Sequence, residues 1–111
     1  MSYKIVPTHT FDRELKRLAK KHRSIKADVY ALGEQLEENP TMGEQVFEHC
    51  YKIRMAITSK NKGKSGGARV ITYVYVAQET VFLLSIYDKG EHEDISNHEL
   101  KELIETLRLE E

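Results

Sequence analysis

Residues 51–75 read YKIRMAITSKNKGKSGGARVITYVY. Apolar side chains alternate at both ends, as strands require, and the middle is polar and rich in glycine and lysine. The pattern predicts two strands joined by a loop over residues 59–67, with the second strand over 68–76. Upstream, Phe47, His49, Tyr51, Ile53, Met55 and Ile57 fall on one face at a period of two. Val46, Glu48, Cys50, Lys52, Arg54 and Ala56 fall on the other, so the first strand is expected to begin near Val46 and run unbroken. Downstream, Gln78-Glu79 reads as a turn and residues 81–87 as a third strand. The three form an antiparallel meander whose continuous apolar runs predict buried central strands.

Helices flank this meander. Residues 2–6 alternate ahead of Pro7 and predict an N-terminal strand. Thr10 is the expected N-cap of a first helix, with Phe11, Leu15, Leu18 and Ala19 at helical spacing. Ser24 opens a second helix with the stripe Ile25, Val29, Leu32 and Leu36, which Asn39-Pro40 ends. The short connection implies an antiparallel helical hairpin. Ser96 and Glu99 fit the capping box of a terminal helix striped by Leu100, Leu103, Ile104 and Leu107. The order is therefore βααβββα. The expected fold class is α+β, with helices on a small, mostly antiparallel sheet, in one domain spanning residues 1–111.

The formal charge of −1 hides a block pattern. Residues 1–26 carry +6, 27–50 carry −6, 51–75 carry +6 and 76–111 carry −7. One cysteine, Cys50, excludes an internal disulfide, suits a reducing cytoplasm and reads as a buried structural thiol. No apolar run could span a bilayer, and the N-terminal residues lack a secretory signal's apolar core. The histidines His9, His22, His49, His92 and His98 form no zinc motif, so no metal or other cofactor is expected. Residues 60–67, KNKGKSGG, lack the glycine spacing of a nucleotide-binding loop and precede a strand rather than a helix.

The basic segment has a plain reading as a solvated charged face. Its geometry offers more. Lys52 and Arg54 leave the same face of one strand, and pairing with the next would set Arg54 beside Arg69. Clustered cations repel one another, and an anion relieves them. A phosphodiester suits the planar fork of arginine and the point charge of lysine. RNA also carries its own nucleophile, the 2′-OH, so cleavage needs only in-line placement, a proton acceptor, charge stabilisation and a proton donor. Neighbouring cations could lower a lysine's pKa enough to make it the acceptor. His92, near Lys89, is a further acid–base candidate, against the alternative of an ordinary surface histidine.

The element order, together with CYKIRMA (50–56), GKSGGARVITYVY (63–75) and LLSIYDKGEHEDIS (83–96), resembles the RelE/ParE toxin superfamily. The resemblance is strongest to its HigB-like, ribosome-dependent mRNA interferases. It implies a microbial RNase-like sheet, cleavage of mRNA in the ribosomal A site and a cognate antitoxin of the HigA helix-turn-helix type. By position, Lys52, Arg54, Arg69 and Lys89 inherit the family's basic catalytic places. Gly90 stands where an arginine is expected and Ser96 where a tyrosine is expected. The base role therefore passes to Lys52, Lys89 or His92. Lys60, Lys62 and Lys64 become contacts to RNA or the ribosome. The other functions to weigh are a ParE-like gyrase poison and a plain RNA-binding module.

Overall fold

The computed structural model describes residues 2–92 and 94–110, the side chains of 108–110 excepted. Its elements in chain order are β1 (Lys4–Pro7), α1 (His9–Ala19), α2 (Ile25–Glu38), β2 (Glu44–Phe47), β3 (Cys50–Met55), β4 (Ala68–Tyr75), β5 (Thr80–Asp88) and α3 (Asn97–Glu110). The five strands form one sheet in the order β1-β5-β4-β3-β2. Only the β1–β5 pair is parallel. The expected α+β class, helical hairpin and mostly antiparallel sheet are all present.

The N-terminal strand runs Lys4–Pro7 rather than over 2–6, and two further differences from the sequence reading bear on the fold. The first helix starts two residues earlier than expected: Thr8, not Thr10, is its N-cap, and the Thr8 hydroxyl accepts the Phe11 amide at 3.2 Å. That hydroxyl also donates to the Leu83 carbonyl at 2.9 Å, so one side chain ties the helix start to β5. The single long strand from Val46 is in fact the hairpin β2–β3, reversing at Glu48-His49. His49 holds φ at 64°, a left-handed conformation in which histidine is commoner than most non-glycine residues. The reversal puts Val46 and Phe47 together in one cluster instead of on opposite faces.

Each face of the sheet has its own apolar layer. On one, Phe11, Leu18, Ile25, Leu32 and Leu36 from the helical hairpin bury Ile53, Val70, Val74, Val81 and Ile86. On the other, Leu100 and Leu107 of α3 meet Cys50, Ile71 and Leu84. Ser96 caps α3 as its sequence predicts: its hydroxyl accepts the Glu99 amide and its amide donates to Glu99, both at 3.1 Å. Cys50 is fully buried, and burial pushes its thiol pKa up to about 11.

β1 covers β5 only as far as Leu83. Beyond it, the Glu14 carboxylate of α1 accepts the Ile86 amide at 3.2 Å and the Ser85 hydroxyl at 2.8 Å. The Ile86 bond satisfies a backbone donor that would otherwise lie on an open edge.

Candidate RNA-binding face

Alternation on β3 sends Tyr51, Ile53 and Met55 into the helical-hairpin core and Lys52 and Arg54 to the opposite face. The ladder places Arg54 directly opposite Arg69, and Arg69 directly opposite Tyr87. Arg54, Arg69 and Tyr87 thus form a row across three strands. The apolar α3 contacts cover another part of this face and leave the cations at the β3–β4 end.

Arg69 is only 3% exposed. Its Nη1 donates to the carbonyls of Lys64 at 2.9 Å and Ala68 at 3.0 Å. These bonds fix the orientation of the fork, which has three further N–H donors. They also tie the loop to the strand. Gly67 is required there, because a Cβ would lie 2.2 Å from the Met55 carbonyl oxygen.

Lys52 differs from expectation. Its ammonium donates to Asp94 Oδ1 at 3.0 Å and lies 3.7 Å from Glu44 Oε1. The Asp94 hydrogen bond raises the lysine's pKa against the lowering effect of burial, so the depression expected from neighbouring cations is not found. In this arrangement Lys52 is a fixed positive charge and not a base. The same contact, with Lys89 and Arg69 nearby, lowers the pKa of Asp94. A carboxylate from the β5–α3 connection thus sits among three cations, as a phosphate oxygen would.

The loop lysines separate. Lys64 joins Lys52, Arg54 and Glu44 around a shallow depression of about 360 Å³. Lys62 is exposed in the loop. Lys60 turns away: its ammonium bonds both oxygens of buried Asp88, at 3.0 and 3.3 Å. Asp88 also accepts from the Gly90 amide at 2.9 Å and lies 3.1 Å from His22 Nε2. Burial alone would raise the Asp88 pKa, but these partners bring it below the ordinary aspartate value.

Lys89 is exposed, and its backbone amide donates to the Gly67 carbonyl at 3.0 Å. That bond holds the end of β5 against the start of β4. His92 packs edge-on to Tyr87 at 4.9 Å between ring centroids, and its Nε2 lies 3.5 Å from Glu99. Sequence reasoning missed Tyr87, Asp94 and Glu44. Tyr87 looked like strand filler, yet its hydroxyl is buried, and among the described residues the Ile95 backbone is the group that reaches it, without a well-formed hydrogen bond. Burial raises its pKa, opposed by the Ile95 backbone, Lys52 and Arg69. The available signal was parity, since Tyr87 faces Arg69 on the ladder. Among the described residues, no three His, Cys, Asp or Glu side chains converge as a metal-ligating group.

This arrangement of a sheet with a helical hairpin on one face and a helix on the other is a fold shared with solved structures of RelE. Escherichia coli RelE carrying two arginine-to-alanine substitutions, in the free state, shares it at a TM-score of 0.63 and 17% identity, covering 95% of this chain and 97% of that one. Isolated E. coli RelE gives 0.57 and 18%, covering 96% and 99%. The substituted RelE bound to an antitoxin RelBc peptide gives 0.58 and 19%, covering 92% and 94%. Residues 3–108 match the family described as the RelE toxin of the RelE / RelB toxin-antitoxin system, and the chain belongs to that family.

Proposed function

We propose that this toxin cleaves mRNA in the ribosomal A site, without a metal, and so stops translation. The observation that carries the reading is the placement of Lys52, Arg54 and Arg69 on one face, with Arg54 and Arg69 paired across the ladder. Arg69, held by two carbonyls, and Lys52, held cationic, stabilise the charge that develops on the phosphorane. His92 accepts the proton of the 2′-OH as its oxygen attacks phosphorus. The bond to the 5′ oxygen breaks, and Lys89 returns a proton to that leaving group. The products are a 2′,3′-cyclic phosphate and a free 5′-hydroxyl. Lys62 and Lys64 contact the RNA or ribosomal backbone, and Lys60 supports their loop through Asp88. The RelE–RelBc complex supports an antitoxin as the partner of this chain, and the HigB-like motifs favour one of the HigA helix-turn-helix type.

The test is primer extension on mRNA from cells after induction. The expected result is cuts within translated codons that vanish in Arg69→Ala and Lys52→Ala while both variants stay folded. Intact mRNA with a DNA-damage response would refute the reading in favour of gyrase poisoning. Salt-sensitive RNA binding without cleavage would reduce the chain to an RNA-binding module.

A further inference from the structure

We propose, on the RNA-cleavage reading above, that Asp94 is a built-in competitor for RNA: its carboxylate occupies the phosphate place on Lys52 in the free toxin, and substrate must displace it. Asp94 stands between the end of β5 and the start of α3. Lys52 lies within β3, 42 positions away, and its ammonium donates to Asp94 Oδ1 at 3.0 Å. The contact joins a covered cation to an open anion. The Lys52 side chain is 17% exposed and that of Asp94 is 74% exposed. Glu44, the second carboxylate near the ammonium, is also well solvated. Lys52 is held by its strand, whereas Asp94 reaches water by rotating about its own side-chain bonds. A carboxylate so exposed gains little from its ion pair. A phosphodiester matches it in charge, presents two oxygens in the same way and brings further phosphates with it.

An ordinary structural ion pair is the alternative, and two observations disfavour it. The start of α3 is fixed without Asp94, by the reciprocal bonds of Ser96 and Glu99 and by the buried side chain of Leu100. Asp94 also answers to more than one cation: Lys52 first, then Lys89 and Arg69, act on its carboxylate. A strut needs one partner. A stand-in for phosphate meets the whole cationic site, and it offsets the repulsion among those cations while no RNA is bound.

Binding is then an exchange of anions rather than an addition. A short RNA arriving from solution must lose its own freedom of motion and evict Asp94 as well. An RNA already held extended brings its phosphate to the face with that entropy already lost, and evicts Asp94 more readily. Asp94 therefore sets a threshold that favours held RNA over free RNA.

A short oligonucleotide with 2′-deoxy sugars, which the 2′-OH mechanism cannot cleave, is the probe. As it is titrated into the unaltered protein, the NMR signal of the Asp94 carboxyl carbon is expected to move, in step with occupancy, to the position of a solvated carboxylate. Asp94→Asn should bind the probe about two- to fivefold more tightly, the size of one exposed ion pair. Glu34→Gln makes the same change in net charge on α2, which packs on the other face of the sheet, and should leave the affinity unchanged. Adding Lys52→Ala to Asp94→Asn should shrink the gain. An Asp94 signal that stays in place at saturation overturns the proposal, as does a failure of the probe to bind. A gain matched by Glu34→Gln, or kept in full without Lys52, overturns it too. Weaker binding by a folded Asp94→Asn would overturn it and make Asp94 a support for the RNA-binding face. Absence of cleavage of ribosome-bound mRNA by the unaltered protein refutes the function reading alone, and the probe titration still judges Asp94.

Discussion

Replacing Lys60 with alanine separates its role as a brace from a direct role in RNA contact. The Asp88 carboxylate is buried and makes four polar contacts, two of them to Lys60. Removing one partner of a buried ion pair costs about 3–5 kcal/mol when the other charge is left uncompensated. Here the Gly90 amide and His22 remain, and the vacated space opens to solvent beside a lysine side chain that is 19% exposed. We therefore expect a loss of about 2 kcal/mol in Lys60→Ala, measured by urea denaturation, and a melting point lower by about 8–16 °C. The pH response carries a second signature. The folded state holds the Asp88 pKa below its unfolded value. Its contribution is thus present above about pH 4 and is lost as pH falls through the folded value. Lys60→Ala weakens that depression, so the acid-unfolding limb should begin at higher pH. A variant within about 0.5 kcal/mol of the unaltered protein, with the same acid limb but weaker RNA binding, would refute the brace and return Lys60 to the RNA-contacting loop.

Other outcomes follow from the same geometry. Asp94→Asn should raise affinity for single-stranded RNA a few-fold at low salt and steepen the salt dependence by about 0.7 in log–log slope, because one more cation is free to meet phosphate. Unchanged binding by fluorescence anisotropy would show that Asp94 does not compete with RNA. Gly67→Ala should cost about 3 kcal/mol, since its Cβ meets backbone at 2.2 Å rather than a movable side chain. Near-native denaturation would refute that contact. Cys50, with its thiol pKa pushed up to about 11, should resist Ellman's reagent at pH 8 until the protein unfolds. Rapid reaction of the folded protein would place the thiol at the surface.

What the sequence made legible was local or periodic. The capping box of Ser96 and Glu99 and the Arg54–Arg69 pairing both follow from spacing within short segments. The hairpin at Glu48-His49 was hidden because no glycine or asparagine marks it, and His49 takes the left-handed turn position instead. The partners of the cations were hidden for a different reason. Asp88 lies 28 positions from Lys60, and Asp94 lies 42 from Lys52. Charge runs reveal how many cations a face has, but not which distant carboxylates claim them. The expectation of a lysine with a lowered pKa failed for this reason. Tyr87 went unremarked because a tyrosine near a strand end is ordinarily packing, and only the three-dimensional ladder gives it a charged neighbour.

The parallel pairing of β1 with β5 also sets the timetable by which the protein matures. β1 is made first, yet Thr8 bonds to Leu83, 75 positions later. The helical hairpin likewise packs on strands that have not been synthesised when it emerges. Such long-range closure slows folding and makes it late. Arg69 has its Tyr87 neighbour, and Lys52 its Asp94 partner, only when the chain has been made past residues 87 and 94. The cationic row is therefore completed only after the strands and connection that follow it in the sequence have been made.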